Sequence, residues 1–170
     1  MRNVFIIFGI AVVSVVIGVT IFVRSYDSVP TAIQPASTTA APSTPVSFTE
    51  LAHGANSTVA TRANYIIKSS AELTQLWKMI DARGQSPTID FTENAVVAVF
   101  AGKEPTAGYS IDVSQVADSG VRKVMVTLTK PGFSCLLAET TTSPYQVIEL
   151  PKTTLPLTHE DQTITASCLQ

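Results

Sequence analysis

An uninterrupted apolar run, residues 4–23, limits what the first part of this chain can fold into. The run reads VFIIFGIAVVSVVIGVTIFV and contains no charged residue. Twenty residues rise about 30 Å as an α-helix, which matches the hydrocarbon thickness of a membrane. A single segment satisfies its backbone hydrogen bonds in lipid only as a helix. We therefore expect residues 1–24 to form a transmembrane signal-anchor.

A cleaved signal peptide is the competing interpretation of the same run. The run is longer than the roughly 7–15 apolar residues of a signal peptide, and no small-residue cleavage site follows it. We expect the segment to be retained, with the N-terminus in the cytoplasm. The chain is then a single-pass protein of the cell membrane, and its C-terminal domain lies outside the cytoplasm.

The next segment, residues 25–47, reads SYDSVPTAIQPASTTAAPSTPVS. It has four prolines among serine, threonine and alanine, and its apolar residues show no period. Such a composition buries too little apolar surface to offset the loss of chain entropy. We predict a flexible linker here and a folded domain over residues 48–170.

The charge of the chain argues against one class of partner. Residues 25–170 carry nine Lys/Arg and thirteen Asp/Glu, for a net charge of −4. A negative domain repels phosphate backbones. We therefore expect no nucleic acid partner, and we expect a protein partner besides the membrane contact of residues 4–23.

One helix is predicted in the folded domain, over residues 70–82 or thereabouts. Four apolar residues there share a helical face: Leu73, Leu76, Trp77 and Ile80. Ser69 and Glu72 have the spacing of a capping box, which marks a helix start. Gly84 is typical of the residue that follows a helix end.

The rest of the domain has the pattern of short β-strands. Strand-like runs occupy residues 58–69, 95–101, 108–116, 123–130, 135–142, 145–150 and 161–169. The segment 118–122, DSGVR, predicts a turn that joins two of these runs in a hairpin. The fold class is therefore α+β, a small domain of mostly antiparallel strands with one helix.

The stretch GKEPTAGYS, residues 102–110, is longer than a tight hairpin requires and is the candidate binding loop. Its candidate contact residues are Lys103, Glu104, Pro105, Thr106, Ala107, Gly108 and Tyr109. Strand alternation puts Tyr109 on the same face as Ile111 and Val113, toward the core. We expect Gly108 and Tyr109 to shape the turn and residues 103–107 to be its exposed part.

Catalytic patterns are missing from the sequence, so we expect no enzyme, no metal and no cofactor. The two histidines, His53 and His159, stand in no metalloprotease motif, and no nucleophile elbow or phosphate loop occurs. A Cys135/His159 dyad stays open, since such pairs form in space rather than in sequence. Cys135 and Cys168 are equally open to a disulfide or to two buried thiols.

Several segments, taken in order, resemble the C-terminal domain of the PrcB family across residues 48–155. The matching residues are Asp90-Phe91, Val96 to Phe100, Gly102, Pro105-Thr106, Gly108-Tyr109, Pro144-Tyr145 and Pro151-Lys152. Ala107 departs from the pattern, because the family has a glycine pair before this tyrosine. Alanine is costly at positive φ, so we expect the permissive conformation at Gly108 instead.

The family is named for a subunit that associates with and stabilises a surface protease complex, so the resemblance implies an extracytoplasmic, non-catalytic, protein-binding role, with a protease complex as one candidate partner. The corner at Pro144 and Tyr145 joins the candidate contact residues. Residues 104–109, EPTAGY, are similar in addition to a loop of chagasin-type inhibitors of cysteine proteases. Inhibition through Pro105–Tyr109 is therefore an alternative function, and a structural envelope protein is a third.

Overall fold

The structure, a computed structural model, describes residues 42–80 and 84–168. Its elements, in chain order, are β1 (Thr44–Pro45), β2 (Thr49–Gly54), β3 (Ala63–Ile67), α1 (Ser70–Met79), β4 (Asn94–Phe100), β5 (Ser110–Asp118), β6 (Arg122–Pro131), β7 (Tyr145–Pro151) and β8 (Leu157–Ala166). All of them belong to one compact unit, Ala41–Gln170.

The strands form two four-stranded sheets. One has the order β1-β5-β6-β8 and the other β2-β7-β4-β3. The prediction of a mostly antiparallel β domain with one helix is confirmed, including the β5–β6 hairpin. The one parallel pair among the described strands is β6 with β8, which the sequence pattern did not indicate.

Strands β4 and β7 are buried on both faces, which makes their sheet the middle of three layers. On β4, Val96, Ala98 and Phe100 pack toward α1, while Val97 and Val99 pack toward the other sheet. β7 divides in the same way, with Val147 in the first core and Ile148 in the second. A strand covered on both faces needs an unbroken apolar run, and that is why β4 reads AVVAVF.

Helix α1 starts as predicted and ends earlier. The Ser69 hydroxyl accepts a hydrogen bond from the Glu72 backbone N–H at 3.3 Å, and the Glu72 carboxylate accepts one from the Lys68 N–H at 2.7 Å. The last helical residue is Met79 rather than a residue near 82. The Met79 carbonyl accepts the Thr58 backbone N–H at 2.7 Å, so a neighbouring loop satisfies the helix end.

Two further predictions about strands need correction. Residues 135–142 form no strand, and Thr142 makes an isolated bridge with Glu104. The first residues of the domain, by contrast, hold two strands that the sequence analysis missed. β2 lies at residues 49–54, and β1 lies within the last part of the predicted linker.

The predicted membrane segment, residues 4–23, and most of the predicted linker lie outside the described residues. Within residues 42–80 and 84–168, no helix is long and apolar enough to cross a membrane.

Candidate functional site

The candidate loop is not a free projection, because a second loop pairs with it. The Glu104 N–H donates to the Thr142 carbonyl at 2.8 Å, and the Thr142 N–H donates back to Glu104 at 3.0 Å. Further along, the Ala107 N–H donates to the Ala138 carbonyl at 3.2 Å. We call residues 102–109 and 132–144 the paired loops.

Gly108 takes the permissive conformation that the loop requires. Its φ is +88°, and a Cβ there would lie 3.2 Å from the Leu137 side chain. Leu137 thus packs over a position that has no side chain of its own. The assignment of the conformational role to Gly108 agrees with this geometry, although the residue is exposed rather than inner.

The exposed residues of the candidate loop are fewer than predicted for residues 103–107. Lys103 and Pro105 are exposed, but Glu104, Thr106 and Ala107 are half-buried, as is Tyr109. The Thr106 carbonyl accepts a hydrogen bond from the Thr142 hydroxyl at 3.0 Å, which holds it against the second loop. Only part of residues 103–107 is therefore open to a partner.

Pro144 and Tyr145, the other candidate contacts, are buried. Tyr145 is 6% exposed, and its ring lies against Gly54, where an added Cβ would be 2.8 Å away. The ring also faces Phe100, with 6.2 Å between centroids. Tyr145 belongs to the core beneath the paired loops, Pro144 is the buried last residue of the second loop, and neither contributes to a contact surface.

The most exposed apolar residues of the described chain were missed by the sequence analysis. Phe133 and Leu136 are fully exposed, at 106% and 103%. They flank Cys135, and we call these two residues the apolar tip. The run CLLAETTT had been interpreted as a strand, and a strand would have hidden alternate residues. The sequence signal was Pro131-Gly132, which places a turn directly before them.

The apolar tip is held in place at three points. Cys135 is joined to Cys168 in a disulfide, with Cα atoms 5.4 Å apart. The Gly132 N–H donates to the Ala166 carbonyl at 3.0 Å, which ties the turn to the end of β8. The third point is the contact between Leu137 and Gly108. Because the backbone of this turn is restrained, binding a partner there would cost little further backbone entropy.

The paired loops lie at the end of the sheet opposite to the point where the chain enters it. β5 begins at Ser110, next to the loops, and ends at Asp118, which pairs with Thr44 of β1. Nine strand residues span about 26 Å. The apolar tip is therefore separated by a strand length from the N-terminal entry to the domain.

Among the described residues two carboxyl groups have displaced pKa values, and both lie outside the paired loops. The Thr92 hydroxyl and N–H, which hydrogen-bond to Asp90, lower the pKa of that residue. The Arg122 guanidinium lowers the pKa of Asp118 through a bidentate pair with both distances at 2.8 Å. Each shift accompanies a structural contact, a turn in one case and a buried ion pair in the other.

Nothing in the described part of the chain gathers the side chains that hold a metal, since no three His, Cys, Asp or Glu residues cluster there. The disulfide also removes the Cys135 thiol from any dyad with His159. What the paired loops offer is a rigid, partly apolar contact surface.

The fold and this surface define a class: a three-layer α+β domain with a disulfide-restrained loop end. The PrcB C-terminal family model matches residues 95–151, and this segment of the chain is similar to that family. The match runs from β4 to β7 and includes both paired loops. No curated protein and no solved structure matches the chain.

Proposed function

We propose that the chain is a membrane-anchored, extracytoplasmic, non-catalytic module that binds a protein through the apolar tip and the paired loops. Its partner is a protease complex, in which it serves as an accessory subunit. The observation that carries the proposal is the full exposure of Phe133 and Leu136 on a restrained turn.

Energetics favour a partner for these two side chains. Burying a Phe or Leu side chain contributes about 1.5–3 kcal/mol, and both lie exposed in the described domain. Such anchors supply most of the affinity of an interface when they enter a pocket on the partner. Restraint by the disulfide lowers the entropy cost of presenting them.

The location outside the cytoplasm is supported by the disulfide and the apolar run. Disulfides persist in oxidising compartments and are rare in the cytosol. Residues 4–23 are long enough to anchor the chain in the membrane that such a domain would have to cross.

The protease complex as partner is supported by the family match over residues 95–151.

The alternative of protease inhibition needs residues 105–109 to project as a wedge. In the structure this loop is hydrogen-bonded to residues 138 and 142, and Thr106 and Ala107 are half-buried. This pairing favours the accessory role. The apolar tip likewise favours a specific partner over the third alternative, a structural protein of the envelope.

A photo-crosslinking experiment in the native cells tests the proposal. A photoreactive phenylalanine analogue replaces Phe133 in the full chain, and in a matched control it replaces Ile66 of β3, which is also exposed and apolar. We expect one defined protein adduct from position 133 and none of the same size from position 66. Mass spectrometry of the adduct should identify a protease or a subunit bound to one.

Three outcomes would contradict the proposal. They are the absence of a position-133 adduct, equal adducts from both positions, and an adduct with no proteolytic function in its complex. The inhibitor alternative has its own test, in which purified residues 41–170 are added to a papain-like enzyme. We expect no inhibition at micromolar concentration, and inhibition lost on changing Pro105→Ala would restore the alternative.

A further inference from the structure

A lateral cleft opens where the edge strands β3 and β8 face each other across the two sheets. The Arg62 guanidinium joins the two edges through a bidentate pair with Asp161, at 3.0 and 2.9 Å. Away from this bridge a cleft remains between the two edges. It has a volume of about 240 Å³ and a floor of Ala95, Val97, Leu150 and Leu157.

The cleft exists because the edge strands β3 and β8 contribute few apolar side chains to the space between them. Ile66 of β3 lines it and is 43% exposed, although its neighbour Ile67 is in the core beneath α1. β8 contributes Leu157, after which its residues 158–165 are exposed. The floor therefore lies at the margin of the core between the sheets: Val97 and Leu150 are 2% exposed, while Ala95 and Leu157 are half-buried.

The charged residues that line the cleft are all basic. Its lining includes Lys68, Arg122 and Lys152 and no acidic residue. Arg122 is already paired, with Asp118 and with the Pro151 carbonyl. Lys152 is exposed and donates to the Phe91 carbonyl at 2.8 Å, while the ammonium group of Lys68 has no partner among the described residues.

We propose that this cleft binds a ligand with an apolar group of about eight carbons that ends in a carboxylate. A cavity of about 150 Å³ holds benzene, so about 240 Å³ accepts a somewhat larger group. The apolar part covers the floor and the carboxylate meets Lys68 at the solvent side. Two sources share this chemistry, a free alkyl carboxylate and the C-terminus of a peptide that ends in a large apolar residue.

The cleft is lined by residues of β3, β4, β6, β7 and β8, by Lys68 and by residues of the segment 152–155, and by none of the paired loops. The proposal therefore stands apart from the apolar tip and its partner. Loss of one activity would leave the other intact, and the two are distinguishable by experiment.

Titration of residues 41–170 with octanoate, followed by amide chemical shifts, tests the proposal. These residues hold both cores and every element described, so they form the unit to be tested. We expect saturable shifts at residues 66–68, 95–97 and 150–157, with a dissociation constant on the order of 0.1–1 mM. Octanol should bind about threefold or more weakly, since it lacks the charge. A peptide ending in Phe-Leu with a free carboxylate, compared with its amide, distinguishes the second source.

Matched variants locate the ligand. I66E should abolish binding, because it places a carboxylate in the cleft, while I164E leaves binding unchanged at an equally exposed site on the other face of β8. K68A should weaken octanoate about threefold and K78A, on the exposed face of α1, should have no effect. Thermal unfolding checks that each variant folds.

Binding of octanoate or of the acid peptide with this variant pattern supports the proposal. It is overturned if neither acid produces saturable shifts, or if I164E weakens binding as much as I66E. Equal binding of octanol and octanoate, unchanged by K68A, would also overturn it, because the carboxylate would then play no part.

Discussion

At the scale of single residues, the pair between Asp118 and Arg122 is the most buried ion pair of the described residues, and we expect its loss to cost more than that of an exposed pair. The Arg122 side chain is 5% exposed and that of Asp118 is 25% exposed. Arg122 also donates to the Pro151 carbonyl, so it links the start of β6 to the end of β7. A guanidinium in this position depends on its carboxylate partner, because an unpaired buried charge is strongly destabilising.

We expect D118N to lower the free energy of unfolding by about 2 kcal/mol at pH 7, less than for a fully buried pair because Asp118 is partly exposed. Urea unfolding measures the change. The control is E160Q, which breaks the exposed pair of Glu160 with Lys123 and should cost under about 1 kcal/mol. Equal losses in the two variants would show that burial of Arg122 is not what matters.

The contribution of the Asp118–Arg122 pair to stability should fall at acidic pH. Hydrogen bonding to Arg122 holds the pKa of Asp118 below its ordinary value of 3.8 in the folded chain. The carboxylate therefore stabilises the fold above that value, and its contribution is lost as the pH falls through the folded pKa. The difference in stability between the native chain and D118N should accordingly shrink as the pH falls from about 5 toward 2.

Glycines with positive φ give a second prediction at this scale. Gly102 has φ +88°, and an added Cβ would lie 2.9 Å from backbone atoms of Thr61 and Arg62. Gly120 has φ +74° and open space around it. We expect G120A to cost about 1 kcal/mol and G102A about 2–3 kcal/mol, since only the second adds a clash with backbone to the conformational strain. Thermal or urea unfolding compares them, and a G102A loss no larger than that of G120A would contradict the assigned packing.

The residues that carry the family resemblance mostly hold turns together. The Asp90 carboxylate accepts hydrogen bonds from Thr92, and its backbone carbonyl accepts the Asn94 N–H at 2.8 Å. Lys152 donates its backbone N–H to Glu93 and its ammonium group to Phe91. The segment that begins with Asp90-Phe91 is thus bonded to Lys152, at the place where β4 begins and β7 ends. Sequence order could not show this contact, because about sixty residues separate the partners.

At the scale of elements, what could be predicted depended on whether the signal was local. The cap of α1 and the β5–β6 turn each lie within a few residues of sequence, and both were predicted correctly. The run 135–142 also has β-branched and apolar residues, but it has no strand partner beyond the Glu104–Thr142 bridge. The parallel pairing of β8 with β6 is likewise set by packing between distant segments, which a pattern of alternation does not record.

The disulfide adds a covalent link between two segments that already lie side by side, the turn after β6 and the end of β8. It joins residues 33 apart in sequence, and closing a loop of that length removes about 4 kcal/mol of chain entropy from the unfolded state. We expect C135S/C168S to lower the free energy of unfolding by about 2–4 kcal/mol. Reducing agent should lower the stability of the native chain by a similar amount and should leave the double variant unchanged. A native chain insensitive to complete reduction would contradict this prediction.

At the scale of the whole molecule, the central sheet β2-β7-β4-β3 separates two cores and positions everything else. One core lies beneath α1 and the other lies between the sheets. The family match covers the two central strands, β4 and β7, and the paired loops that connect to them. The loop that carries the apolar tip leads directly into the buried strand β7, and the disulfide ties it to the end of β8, an arrangement that suits a surface that must keep its shape when it binds.

The boundary of the domain provides the last prediction. Val46 donates its N–H to the Val116 carbonyl at 2.8 Å and packs against the core between the sheets, although its residue number places it in the predicted linker. A chain of residues 48–170 should therefore be less stable than one of residues 42–170, by about 1–2 kcal/mol, since it loses that burial and the pairing of β1 with β5. V46S in the longer chain should cost about half as much, because it keeps the backbone hydrogen bonds and loses only apolar contact. Urea unfolding midpoints at equal slope measure both changes. Identical midpoints for the two chain lengths would mean that β1 adds nothing to the fold and that the domain begins where the sequence pattern placed it.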